Sequence, residues 1–137
     1  MSTLNQHLTF KNIRKIKKNR ATLLKNKPQI RGAVLKLRIQ TPKKPNSARR
    51  PVAKIGIFKT LKKIIAHIPG LGHNLRKHSE VLLGGVGCKD LPGINYTCIK
   101  GVYDFAGSLK KLKRRSIYGT KLPDKYKKKL RRKFRII

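Results

Sequence analysis

Between Ala33 and Val102 the apolar residues mostly recur at every second position, the spacing of half-buried strands. Ala33, Leu35, Leu37 and Ile39 alternate with Val34, Lys36 and Arg38, which predicts a first strand whose outer face is largely cationic. Residues 52–58 set Ala53, Ile55 and Ile57 against Val52, Lys54, Gly56 and Phe58. A third run, Ile64 to Ile68, stops at Pro69-Gly70 and pairs with the second as a hairpin around Lys59 to Lys63. A glycine-rich connection with room for one helical turn spans 69–78. Glu80 to Leu83 then reads as a fourth strand and Ile94 to Lys100 as a fifth. Ahead of all this, Leu4 and Leu8 stand at helical spacing behind Ser2 or Thr3 as a cap, predicting a short helix.

Five short strands with a connection between the third and fourth follow the plan of the oligonucleotide-binding barrel. The expectation is therefore an all-β fold: a basic arm with a short helix over 1–31, a five-stranded barrel over 32–105 and a basic extension over 106–137. In that plan the binding surfaces are the second and third strands and the loops after the first and fourth. On this sequence those loops are residues 40–51 and 84–93.

Charge points the same way. The chain has 137 residues, 37 of them Lys or Arg against four acids, for a formal charge of +33. Small soluble domains usually carry a net charge of roughly 2 to 8, so this excess costs compaction energy unless a polyanion neutralises it. The acids are Glu80, Asp90, Asp104 and Asp124, and residues 1–79 hold 21 basic groups with no acid to pair them. A phosphate backbone supplies the missing charge. Lys11 to Arg20 holds six cations around Ile13 and Ile16 alone, the composition of an arm that orders on RNA, though a mitochondrial presequence is basic and acid-poor as well. No apolar run approaches the ~20 residues of a spanning helix, so no membrane partner is expected.

Other chemistries fare poorly. His73, His78, Cys88 and Cys98 lack the paired short spacing of structural zinc ligands, and Cys88 and Cys98 read as small core-facing thiols. There is no phosphate-binding Gly-x-x-x-x-Gly-Lys-Ser/Thr and no glycine fingerprint between a strand and a helix. Nothing aligns His67, His73 and His78 for acid–base work, so no catalysis and no cofactor are expected, apart from structural magnesium on a bound RNA. A single-strand RNA chaperone is the stronger rival, but it would stack bases on aromatic platforms, and the chain has four Phe, four Tyr and no Trp.

The loop from Thr41 to Arg50 is built to touch RNA. Pro42 and Pro45 fix their own φ and bias Thr41 and Lys44 away from helix, while Asn46 and Ser47 offer short groups for a backbone or a sugar hydroxyl. The second loop has four glycines, Lys89 and a Pro92-Gly93 turn. Lys43, Lys44 and Lys89 on these loops read as phosphate contacts.

Three motifs in order and spacing resemble ribosomal protein twelve of the small subunit: Thr-Pro-Lys-Lys-Pro-Asn-Ser-Ala at 41–48, Gly-x-Gly-His-Asn-Leu-x-x-His-Ser at 70–79 and Lys-Asp-Leu-Pro-Gly at 89–93. Thr3-Leu4-Asn5-Gln6 looks like the family's opening and Arg115-Ser116-Ile117-Tyr118-Gly119 is similar to its closing motif, so the resemblance covers about residues 2–123. It implies a barrel that shapes the decoding centre, with small-subunit rRNA and neighbouring ribosomal proteins as partners and the mRNA–tRNA pair of the acceptor site close by. It implies no free homo-oligomer. By motif, the decoding-centre contacts are Lys43, Lys44, Pro45, Asn46, Ser47, Ala48, Lys89, Asp90, Leu91, Pro92 and Gly93. Lys43, Lys89 and Pro92 match family positions that affect accuracy and the response to streptomycin. Further rRNA contacts fall on Arg14, Lys15, Lys17, Lys18, Arg20, Arg49, Arg50, His73, Asn74, Arg76, Lys77, His78, Arg114, Arg115 and Tyr118.

The chain departs from the family where two arginines become Gly84 and Gly87, where Arg76-Lys77 replace a less basic pair, and where Pro51 stiffens the end of the first loop. Residues 124–137 run past the matching part and could form a basic helix with Tyr126, Leu130 and Phe134 on one face, anchoring on RNA. Ala66-His67-Ile68-Pro69-Gly70 looks like the family's mitochondrial branch, and the start of the chain resembles the mature family start. The expectation is a mitochondrial ribosomal protein made inside the organelle, with plastid or bacterial cytoplasm as the alternative.

Overall fold

A computed structural model of the chain describes residues 3–9, 20–109 and 111–124. Five strands, β1 (Gln29–Gln40), β2 (Arg50–Ile57), β3 (Lys63–His67), β4 (Glu80–Gly84) and β5 (Tyr96–Ile99), close into a barrel in the order β1-β2-β3-β5-β4. Each of these strands has two neighbours, so none leaves an open edge. All pairings are antiparallel except β3 with β5. The twelve-residue β1 closes the barrel by serving two partners, β4 through Gln29 to Ala33 and β2 through Gly32 to Gln40.

Alternation in β2 is as the sequence predicts from Ala53 to Ile57, with Ala53, Ile55 and Ile57 buried and Lys54 exposed, but Val52, expected on the outer face, is buried against Leu91 and Ile94. In β1 it fails. The register with β2 slips between Val34 and Lys36, which makes Leu35 the extra residue of a bulge. A bulge reverses which face later residues occupy. Val34, ahead of the bulge, is wholly buried, Leu37, beyond it, packs against the core from the opposite parity, and Ile39, opposite Pro51 of β2, is 73% exposed.

The interior is filled by Val34, Ile55, Ile57, Ile68, Val81, Leu83, Cys98 and Phe105. Full burial of such side chains is worth about 1.5–3 kcal/mol each for the larger ones. Burial also pushes the Cys98 thiol up to about 12, so it remains protonated at neutral pH. A 3-10 turn (Thr22–Leu24) plugs one end with Ala21 and Leu24, and its Leu23 N–H donates to the Tyr96 hydroxyl at 3.2 Å. The predicted N-terminal helix is α1 (Leu4–Thr9). Its cap is Thr3, whose Oγ1 accepts from Gln6 N–H while Gln6 Oε1 accepts from Thr3 N–H at 2.9 Å, a capping box.

Two expectations are corrected. Residues 69–78 form no helical turn; left-handed Gly70, Gly72 and His78 turn the chain instead, and the His78 N–H donates to Val34 O at 2.7 Å. The fifth strand is also shorter than predicted, because Ile94 packs with Val52 and Leu91 in a small cluster of its own.

Beyond β5 the chain doubles back and knots itself to the barrel. Gly101, Gly107 and Gly119 bring three backbone segments together so closely that a Cβ on Gly107 would lie 2.1 Å from the Gly119 carbonyl oxygen. Ser108 N–H donates to Tyr118 O at 2.9 Å, in the one-turn helix α2 (Arg115–Tyr118). Lys100, 4% exposed, donates to Gly72 O at 3.0 Å and Ser108 Oγ at 2.9 Å, with its ammonium 5.0 Å from the Phe105 ring centre. Burial lowers its pKa from the usual lysine value.

Candidate nucleic-acid interface

The two predicted loops meet. Lys43 N–H donates to Asp90 O at 3.0 Å, and the Arg50 guanidinium donates to Asp90 Oδ2 at 2.6 Å. One acidic residue thus clasps the first loop at its start through its backbone and at its end through its side chain. Within that loop Asn46 N–H donates to Lys43 O at 3.1 Å, tightening a turn whose Lys44–Pro45 peptide bond is cis. Pro42 is buried, while Lys43, Lys44, Pro45, Asn46, Ser47, Ala48 and Arg49 are exposed.

The second loop is held from beneath. Leu91, expected among the RNA contacts, is 3% exposed and packs with Val52 and Ile94, with Cys88 against them. It is an apolar anchor: burying it leaves Lys89, Pro92 and Gly93 exposed on either side of it. The carboxylate of Asp90 likewise points to Arg50, so the residue ties the loops together. Cys88 is only half-buried, short of the core position expected of it. Gly87 is required where it stands, since a Cβ there would lie 2.6 Å from the Ile94 carbonyl oxygen. The loop closes on itself more tightly than an arginine at that position would allow. The Thr97 hydroxyl donates to Val86 O and secures its other arm.

Electrostatics favour an anion over this mouth of the barrel. Asp90 is already paired, and Lys43, Lys44, Arg49 and Lys89 surround it in the open. The outer face of the sheet adds Lys36 directly opposite Lys54 across β1 and β2. Like charges so placed repel, and a bound polyanion relieves that repulsion. His67 on β3 has its pKa lowered by burial and then by the charge of Arg50.

The other expected contacts scatter. Arg20 lines a cleft with Lys89, Leu91 and Pro92, close to the loop pair. His73, Arg76, Lys77 and His78 are exposed on the connection between β3 and β4. Asn74 serves the fold: its Nδ2 donates to Asp104 O at 2.9 Å and its Oδ1 accepts from Ala106 N–H at 3.0 Å. Arg114, Arg115 and Tyr118 belong to the C-terminal knot, Tyr118 beneath the Lys111 ammonium. Arg14, Lys15, Lys17 and Lys18 lie outside the described residues, as does the expected helix beyond Asp124. Sequence reasoning missed the clasp between Arg50 and Asp90 as a pair, and the buried Lys100. The first had a faint signal, one acid in a loop otherwise devoid of them.

No group of His, Cys, Asp and Glu that could hold a metal occurs among the described residues, and no helix among them is long and apolar enough to cross a membrane. Residues 17–132 match the family described as ribosomal protein S12/S23. The small ribosomal subunit protein uS12m of Paramecium tetraurelia is 58% identical over 138 residues, covering 100% of this chain and 97% of its own length.

Proposed function

Because the chain belongs to the ribosomal protein S12/S23 family, we propose that it is the constituent of the mitochondrial small ribosomal subunit that shapes the decoding centre and sets codon–anticodon accuracy. The observation that carries this reading is the clasp of Asp90 on both ends of the first loop, which leaves Pro45, Asn46 and Ser47 projecting together with Pro92 and Gly93. Protein senses an RNA helix through its minor-groove shape and 2′-hydroxyls, and a compact Pro-Asn-Ser turn approaches that surface without filling it. Lys43, Lys44, Lys89 and Arg49 hold the turn in position through rRNA phosphates, each contact adding about 0.7 to 0.9 to the dependence of log affinity on log salt.

The chain makes and breaks no bond in this role. A correct codon–anticodon pair lets the monitoring bases close against it, and a mismatch lacks that differential free energy. The two loops bias the balance between open and closed subunit by the contacts they offer to one state. Lys43→Thr removes a cation from the exposed face of the clasped turn while leaving its backbone bond to Asp90 in place. Misreading should fall and the error-inducing effect of streptomycin should weaken several-fold in a translation assay; a variant identical to the wild type in both would refute the decoding role. Sedimentation of mitochondrial extract tests the coarser point. The protein should stay with small subunits through a high-salt wash, whereas release to the soluble pool would favour an RNA chaperone.

A further inference from the structure

We propose a second RNA site on the barrel, where a cleft between the Thr22–Leu24 turn, the start of β1 and the turn after β2 takes one unstacked nucleotide with its base against Phe58. The cleft has a volume of about 530 Å³. That lies within the roughly 300 to 1,000 Å³ of small-molecule pockets, which suits one nucleotide and not a duplex. Its floor is apolar: Leu23, Ile30 and the ring of Phe58, the last 47% exposed in the turn that follows β2. Lys25, Lys27 and Lys59 stand around the floor.

Arg31 makes the platform rigid. Its guanidinium carbon lies 5.3 Å from the Phe58 ring centre and 5.2 Å from that of Tyr103, and its Nη2 is 3.0 Å from Glu80 Oε2. Two rings and a carboxylate thus fix one guanidinium plane beside the cleft. Glu80 is occupied by that pair, and the Asp104 carboxylate accepts from Glu80 N–H at 2.7 Å. No acid among the described residues lines the cleft, so its three lysines face an occupant that must bring the negative charge. A planar apolar surface ringed by unpaired cations is the arrangement by which proteins bind single-stranded RNA, a base stacking on the ring and phosphates meeting the lysines.

The inference rests on the reading that the chain binds RNA, and the test separates the two. Full-length wild type and Phe58→Leu, which keeps an apolar side chain, are titrated with a uridine oligomer and with an abasic phosphodiester chain of the same length at two salt concentrations. The wild type should prefer the uridine oligomer, and Phe58→Leu should lose about tenfold on that oligomer alone, with its salt dependence unchanged. Equal binding of both chains by both proteins overturns the stacking site while leaving charge-driven RNA binding intact. A wild type that binds neither overturns both. In ultraviolet cross-linking of intact small subunits, a nucleotide adduct should appear on the tryptic peptide Ile55–Lys59. A protein cross-link there, or adducts confined to residues 41–50, would overturn it.

Discussion

The loop pair and the C-terminal knot each depend on one cation, and they hold it in opposite ways. Arg50 meets a carboxylate at the surface, with solvent reaching both partners. Lys100 is sealed behind the backbone and meets only a carbonyl, a hydroxyl and a ring. A solvent-exposed ion pair is worth little and is readily adjusted, whereas a buried cation tied to neutral acceptors holds only while the surrounding backbone keeps its shape. The knot is therefore a fixture and the clasp a joint. A joint suits a surface that must favour one state of its partner over another.

The sharpest way to break the comparison is Gly107→Ala. With the Gly119 carbonyl oxygen 2.1 Å from the new Cβ, backbone has to move, and a cost of about 3 kcal/mol is expected, the upper part of the overpacking range. Thermal unfolding should report that loss and limited proteolysis should open residues 107–120, while the loop pair keeps its protection. An alanine variant as stable as the wild type would show that the knot is loose.

Lys100→Met asks whether the cation itself matters. The change relieves the cost of burying a charge but strands the Gly72 carbonyl and removes the donor to Ser108. The net loss should be about 1 kcal/mol. Its pH signature is cleaner than its size. The folded chain holds this proton less tightly than the unfolded chain, so wild-type stability rises with pH as it climbs toward the ordinary lysine value of 10.5. The methionine variant should lack that rise, and an unchanged slope would place its origin elsewhere.

How much of this was legible follows from what each feature depends on. Strand alternation in β2 is local, so the sequence displays it, but the Leu35 bulge in β1 arises from pairing with β2 and leaves no mark on β1 alone. The loop motifs were readable because proline, asparagine and glycine act on their own backbone. The burial of Leu91 was not legible because it depends in part on Val52, which is distant in sequence and on another element. Lys100 was illegible for a different reason. A lysine in so basic a chain gives no sign that it faces inward, and only the glycines that meet around it reveal the space it fills.

Asp90→Asn loosens the joint without dismantling it. The backbone bond from Lys43 survives, but the charge on the Arg50 partner is lost, and Arg50 Nε is already buried without a partner. Global stability should fall by about 1 kcal/mol or less, discounted because both side chains are partly exposed. Hydrogen exchange at the Asn46 amide should accelerate more than at core amides. Uniform acceleration across the barrel would mean that the clasp is part of the fold and not a separate joint.

The smallest effect is the most specific to the joint. His67 has its pKa lowered by burial first and by Arg50 second. Between that lowered value and the ordinary 6.5 the unfolded chain binds more protons than the folded one, so stability drops as pH falls through 6.5 and levels off below the folded value. His67→Gln should flatten this part of the thermal-stability profile. In Asp90→Asn the dependence should steepen, because the carboxylate that offsets the charge of Arg50 is gone and the histidine then faces an uncompensated guanidinium. A profile that Asp90→Asn leaves unchanged would show that burial alone sets the histidine, and that the clasp does not reach β3.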